Sequence, residues 1–251
     1  MRKIVFEEAP ELNVLYQDEY LVAIDKPSGL LVHRSEIDKR ETLFAIQLTR
    51  DLIGQHVFPV HRLDRPTSGV LLFALSSEIA REMSLLFQAG KVNKTYNAIV
   101  RGFTQDAIHI DYALKEILDK KSDKMADKDK PPQSAITDLT KLATVQLPFA
   151  SGRYESSRYS LVELKPHTGR KHQLRRHMAH IRHPIIGDTN HGDGKQNKAA
   201  RENLNLDRLA LVAKSLTFPH PVTKKQIVIN ASLDESLKEI FETCGWEDWI
   251  F

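Results

Sequence analysis

Short runs of apolar residues, broken by polar turns, set the rhythm of the chain from its first strand onward. Leu12 to Tyr16 and Tyr20 to Asp25 read as two strands around the polar Gln17-Asp18-Glu19, and Lys26-Pro27-Ser28-Gly29 is a turn directly after them. His56 to Val60 and Gly69 to Leu75 are runs of strand length, the second continuous enough to be buried on both faces. Ser76 or Ser77 caps a helix with Ile79, Met83, Leu86 and Phe87 on its apolar face, and Gly90 ends it. Further strands are predicted at Thr95 to Val100, Ala143 to Leu147, Ser157 to Leu164, Leu209 to Phe218 and Gln226 to Asn230. Helices are predicted at Arg170 to Ile181 and Asp234 to Thr243, the former with Leu174, Met178 and Ile181 on one face and Arg175 and Arg182 on a flanking one. Leu118 to Pro132 alternates Lys and Asp before Pro131-Pro132 and reads as an exposed, mobile excursion within a domain. Strands outnumber helices and do not alternate regularly with them, and there is no internal repeat. The expectation is one α+β domain over residues 1–251, built on a mixed, largely antiparallel sheet.

Composition adds limits. A chain of 251 residues that is 41% hydrophobic can bury a proper core. Glu7, Glu8 and Glu11 stand where a signal peptide needs an apolar stretch, and no window approaches the roughly 18 apolar residues of a membrane span. A soluble, cytoplasmic protein with no membrane partner is expected. Cys244 is the only cysteine, so neither an internal disulfide nor a cysteine zinc site is possible.

Charge changes the picture more than its total suggests. Between Lys165 and Arg201 nine Lys or Arg face only Asp188 and Asp193, so this segment carries +7 and the rest −4 of the net +3. Such a surface suits a polyanion, although a solvated helix face would look the same from charge alone. His172, His177, His180 and His183 invite a metal reading, but no Glu lies between 165 and 201 and no three of them share a helical face, so no metal is expected.

The candidate for chemistry is Asp64, in the loop between two apolar strands and flanked by Arg62 and Arg65. Flanking guanidinium groups would keep its carboxylate ionised, a state that suits a nucleophile or general base. Residue types alone equally allow a salt-bridged surface turn at Asp64, a core aromatic at Tyr96 and a solvated helix residue at Arg175. The stretch His61-Arg62-Leu63-Asp64-Arg65-Pro66-Thr67-Ser68-Gly69 closely resembles the active-site signature of the RluA-type pseudouridine synthases. Lys94-Thr95-Tyr96 with Val100-Arg101-Gly102 is similar to that family's tyrosine block. Thr168-Gly169-Arg170-Lys171-His172-Gln173-Leu174-Arg175 with His183-Pro184-Ile185-Ile186-Gly187-Asp188 is similar to its third block. With the Lys26 turn, all four stand in the family's order over roughly residues 12 to 230.

The resemblance implies the pseudouridine synthase fold, with helices flanking a cleft across the middle of the sheet, and an isomerase that needs no cofactor. It assigns attack on the target nucleotide to Asp64, stacking on the uracil to Tyr96, pairing with the aspartate to Arg175, and the space left by the flipped base to Arg62. The carboxylate attacks either the base or assists glycal formation at the sugar; the sequence is compatible with both. Leu209 and Leu211 are candidates for the wall of the pocket, and Arg170, Lys171, Arg176 and Arg182 for RNA contacts. Only about ten residues precede the first strand, so no N-terminal S4-type module is expected and the catalytic domain must grip RNA itself. His191 stands where the family often has Tyr, and Val212 where it has His. Leu31-Val32-His33-Arg34-Ser35, Ser151-Gly152-Arg153-Tyr154, Arg175-Arg176-His177 and Asn190-His191-Gly192-Asp193 are similar to a branch that modifies uridine 65 of tRNA. That implies tRNA as the partner, with no obligate protein partner. The alternatives are the same chemistry on ribosomal RNA, a non-catalytic RNA-binding protein, and a glycoside or nucleoside hydrolase, which would normally want a second carboxylate.

Overall fold

The computed structural model describes residues 6, 8–34, 41–117 and 131–251. The Lys/Asp-rich stretch at 118–130 and Ser35 lie outside them. In chain order the elements are β1 (Asn13–Gln17), β2 (Leu21–Lys26), α1 (Ala45–Ile53), β3 (Phe58–Pro59), β4 (Ser68–Ala74), α2 (Ser77–Gln88), β5 (Asn93–Arg101) and β6 (Ala107–Asp111). There follow β7 (Ile136–Leu147), β8 (Ser157–Pro166), α3 (Gln173–His180), α4 (Gly194–Leu204), β9 (Leu211–Pro219), β10 (Gln226–Asn230) and α5 (Glu235–Thr243). The strands form one sheet in the order β1-β2-β4-β9-β5-β8-β7-β6, with β3 on β4 and β10 on β9. Among the described strands β4 and β9 pair in parallel and the other pairs are antiparallel, which is the α+β architecture expected.

The continuous apolar run of β4 is buried at every position. Its period of two sorts the side chains: Leu71, Phe73 and Leu75 join Ala45 and Val57 in one cluster, while Val70, Leu72 and Ala74 join Met83 of α2 in another. The helix ends follow local chemistry. Ser76 Oγ accepts from the Ile79 amide at 3.2 Å at the start of α2, and the Asp234 carboxylate accepts from Leu237 N at 3.1 Å at the start of α5. Helix α3 is shorter than expected because His172, at φ 54°, takes the left-handed conformation and turns the chain just before it. Helix α4 was not expected, since its sequence is polar apart from Ala199, Ala200 and Leu204; the Asp193 carboxylate caps it by accepting from Lys195 N and Gln196 N.

The middle of the sheet is its narrowest joint. Strands β4 and β9 share only the pairs Ser68–Val212 and Gly69–Ala213. A Cβ on Gly69, at φ 106°, would lie 2.3 Å from Ala213 O, so the close approach of the two strands requires glycine. No helix among the described residues is long and apolar enough to cross a membrane.

Gly187, at φ 81°, is as tightly held: a Cβ there would meet Arg208 O at 1.8 Å. Gly187→Ala should therefore destabilise the protein by about 2–3 kcal/mol, lowering Tm by roughly 5–10 °C in a thermal melt followed by circular dichroism. A Tm equal to wild type would show that the backbone can move aside.

Candidate active site

Asp64 sits in the loop that leads into the narrow joint, and the Lys26-Pro27-Ser28-Gly29 turn clamps that loop from below. Lys26 is fully buried, and its ammonium donates to the carbonyl oxygens of Pro27 at 2.9 Å, Leu30 at 2.8 Å and Arg65 at 3.1 Å. Ser28 Oγ donates to Pro66 O at 2.8 Å, and Gly29 N donates to Arg65 O at 2.9 Å. The turn closes on itself where Thr67 N donates to Asp64 O at 3.0 Å. His61 ties the loop to β4 by accepting from Leu72 N at its Nε2, 3.0 Å away. Burial, helped by the charge of Lys94, pushes the His61 pKa down to about 4, so the ring stays the neutral acceptor that this bond requires.

The Asp64 carboxylate is about a quarter exposed, 27% in its side chain, and receives Nη1 of Arg175 at 3.1 Å. Arg175 is only 5% exposed and is held by Asp188, whose two oxygens accept Nε at 2.7 Å and Nη2 at 2.8 Å in a bidentate fork. Asp188 Oδ1 also accepts the amides of Asn190 at 2.9 Å and His191 at 3.0 Å. Asn197 on α4 fixes the same loop, accepting from Gly187 N and donating to Asp188 O, each at 2.8 Å. Burial works against the charge on Asp188, but the hydrogen bonds and charge of Arg175 outweigh it and hold the carboxyl below its usual range. For Arg175 the balance is the same: burial opposes the charge, and Asp188 and Asp64 raise the pKa above its ordinary value.

Tyr96 lies on β5 opposite Ala213, beside a bulge at Thr95/Tyr96, where two of the apolar clusters meet. Burial, and then the negative charge of Asp64, drive its pKa well above that of a free phenol, so the hydroxyl keeps its proton. His172 Nε2 stands 3.9 Å from Asp64 Oδ2, and its Nδ1 meets His191 Nε2 at 3.0 Å. Burial lowers the pKa of both rings.

Asp64, Tyr96 and Arg175 are thus brought together, with Arg62 exposed beside them. Arg175 keeps its flanking position on the helix but is only 4% exposed, because Asp188 and Asp64 receive it in the interior, which rules out a solvated helix residue. One expectation needs correcting. Of the arginines flanking Asp64, Arg65 donates to Gly29 O at 2.9 Å and to Glu41 at 3.1 Å, while the guanidinium seated on Asp64 is that of Arg175. Leu209 and Leu211 are 0% and 3% exposed in the cluster on which Tyr96 packs, and Leu211 lies on the Tyr96 face of the sheet. Arg170 and Arg182 are exposed, whereas Lys171 and Arg176 are half-buried. His177 is used by the fold, with Nδ1 at Thr137 Oγ1 and Nε2 at Tyr112 O, both 3.0 Å. Asp188, His172 and Asn197 escaped notice as site residues; the signal for Asp188 was a carboxylate at the end of an apolar run within an otherwise basic segment.

Residues 20–180 match the family described as RNA pseudouridylate synthase. The chain is 56% identical to the tRNA pseudouridine synthase C of Vibrio cholerae, over 94% of this chain and 97% of that one. It is likewise 56% identical to the protein of that name from Haemophilus influenzae, over 94% and 99%. Among solved structures, human RNA Pseudouridylate Synthase Domain Containing 4 superimposes with a TM-score of 0.68 at 26% identity, covering 92% of each chain. Human RNA Pseudouridylate Synthase Domain Containing 1 shares the fold, with a TM-score of 0.67 at 22% identity over 96% of this chain and 98% of that one. By sequence and by fold, the chain belongs to the RNA pseudouridylate synthase family.

Proposed function

We propose that this enzyme isomerises a uridine of tRNA to pseudouridine, at position 65, with Asp64 acting on the flipped-out nucleotide. The observation that carries the reading is a partly exposed carboxylate gripped by a buried guanidinium that is itself locked by Asp188. The relatives named tRNA pseudouridine synthase C support the substrate class, and the four short motifs shared with the tRNA-modifying branch support the position. A cytoplasmic location goes with that substrate.

In this reaction the N1–C1′ bond of the nucleotide breaks, the uracil turns, C5 joins C1′, and the proton from C5 leaves while N1 gains one. Atoms and electrons balance within the nucleotide. Arg175 holds Asp64 in one orientation, so that the carboxylate meets the sugar or base from a fixed direction. Tyr96 presents its ring to the uracil and, with its proton retained, a hydroxyl donor. Arg62 fills the stack that the base has left. Leu211, and Leu209 behind it, form the apolar backing against which the detached base turns. Arg170 and Arg182, exposed at either end of α3, contact phosphates, and Lys171 and Arg176 add to the positive field.

Asp64→Asn should lower pseudouridine formation at least about 100-fold while tRNA affinity stays within about tenfold of wild type, because the shape and basic surface remain. Mapping pseudouridine in tRNA treated with each protein reads both the rate and the position; residual activity above a hundredth would sink the assignment. Tyr96→Phe should bind tRNA like the wild type but turn over more slowly, through loss of the hydroxyl. Equal single-turnover rates would remove that hydroxyl from the chemistry. Asp188→Asn should leave the Arg175 charge buried and half-paired, destabilising the protein by about 3–5 kcal/mol and loosening Asp64. Calorimetry and turnover should fall together; a full rate in the folded variant would show that Arg175 holds Asp64 without help.

A further inference from the structure

Ser151-Gly152-Arg153-Tyr154 forms the tight turn between β7 and β8, with Ser151 N donating to Tyr154 O at 2.9 Å and Tyr154 N to Ser151 O at 3.1 Å. The turn projects Tyr154, 57% exposed, with the Arg153 guanidinium 5.1 Å from its ring centre. A second such pair lies close by at the end of β5. Phe103 is 45% exposed, and the Arg158 guanidinium stands 5.4 Å from its ring. Among the described residues neither Arg153 nor Arg158 meets a carboxylate; their side-chain partners are Tyr154 Oη and Gln146 Oε1. Large rings left in water beside unneutralised guanidinium groups do nothing for the core, and their combination is the surface on which nucleotides stack.

This surface runs on to the candidate active site. The Gly152 turn approaches Lys195, whose Cδ would lie 3.0 Å from a Cβ at Gly152. The positive charge of Arg101 is felt at Tyr154. Arg101 also donates to Arg182 O at 3.0 Å and to Asp193 at 2.7 Å. Between them is an open depression of about 440 Å³, lined by Arg101, Arg182, His191, Gly192, Asp193 and Gly194 among others. His191 is the junction, since it faces the depression and meets His172, which stands 3.9 Å from Asp64. Along this path Arg101, Arg153, Arg158, Arg182 and Lys195 carry positive charge, against Glu155 and the Arg101-bound Asp193.

We infer that the β7–β8 turn and the end of β5 form a second RNA-binding surface, which receives the tRNA strand as it leaves the flipped nucleotide. A phosphate enters the depression between Arg101 and Arg182, and a nucleotide beyond it stacks on Tyr154. The inference rests on the function proposed above, and it extends the grip on RNA well beyond α3. It also gives a reason for the exposed rings, which no packing in the protein requires.

The test measures equilibrium binding of the full-length protein to an unmodified tRNA transcript, separately from pseudouridine formation. Tyr154→Ala should weaken binding about fivefold or more, and Tyr154→Phe should restore it to within about twofold, since stacking needs the ring and not the hydroxyl. Replacing Arg153 and Arg158 together by Ala should flatten the slope of log affinity against log salt by up to about two phosphate contacts, each near 0.7 to 0.9. Both sites are exposed, so an unchanged Tm is expected for every variant and confirms that the fold is intact. Affinity and salt slope equal to wild type would overturn the surface, whatever happens to turnover. A wild type that leaves tRNA unmodified, yet loses affinity in these variants, would overturn the proposed function and leave the surface standing.

Discussion

The buried guanidinium of Arg175 constrains the rest of the site. A charge with 5% exposure is tolerable in a protein interior only if its donors are matched, and Asp188 matches two of them in a bidentate fork. That leaves a further N–H in a fixed direction, and Asp64 receives it. Because the guanidinium is planar, locking one edge orients the other. The position of Asp64 is therefore set twice, by the loop that carries it and by an arginine aligned from the opposite side. The anchoring continues outward: Asp188 is held by backbone amides and by Asn197 of α4. A helix with a small apolar face is held here at two places: buried Asn197 bonds the loop through Gly187 and Asp188, and Ala200 and Leu204 pack on the main core.

The loop itself depends on a second buried cation. Lys26 gathers the carbonyl oxygens of Pro27, Leu30 and Arg65, so two turns far apart in sequence share one ammonium. Burial, reinforced by the charge of Arg208 and opposed by that of Asp64, lowers its pKa to about 7. The clamp lies at the narrow joint between β4 and β9, where Gly69 lets two backbones come closer than a side chain would allow. An active site at this joint is framed by both halves of the sheet. Asp64 enters from the β3–β4 side, Tyr96 from β5, and Arg175 from α3, which packs on β8.

The exposed aromatic residues make the opposite point. Tyr154 and Phe103 belong to none of the core clusters, and a guanidinium group stands over each ring. Their place beside the Arg101–Arg182 depression links them to the site through the His191–His172 contact. Basic residues of the 165–201 segment serve different ends according to their position: Arg175 is structural to the site, Arg170 and Arg182 face solvent, and Lys195 lies against the turn at Gly152.

How much could be read beforehand follows the range of the forces involved. Strand periodicity, the Ser76 and Asp234 caps, and the turn at Lys26 are matters of neighbouring residues, so β2, β4, α2, β10 and α5 were legible, as was the mixed sheet that they imply. The motif around Asp64 identified the family and the residues to watch. The start of α3 was not legible, since the left-handed His172 obeys contacts with His191 and Asp64 and no local propensity. Nor was α4, whose short apolar face of Ala200 and Leu204 is supplemented by the polar anchor at Asn197. The identity of the cation on Asp64 belongs to the same class. Arg62 and Arg65 flank Asp64 in the chain, yet the guanidinium that reaches the carboxylate comes from 111 residues away, because a sheet joined at its middle brings α3 over the β3–β4 loop and burial then demands that Arg175 find both carboxylates.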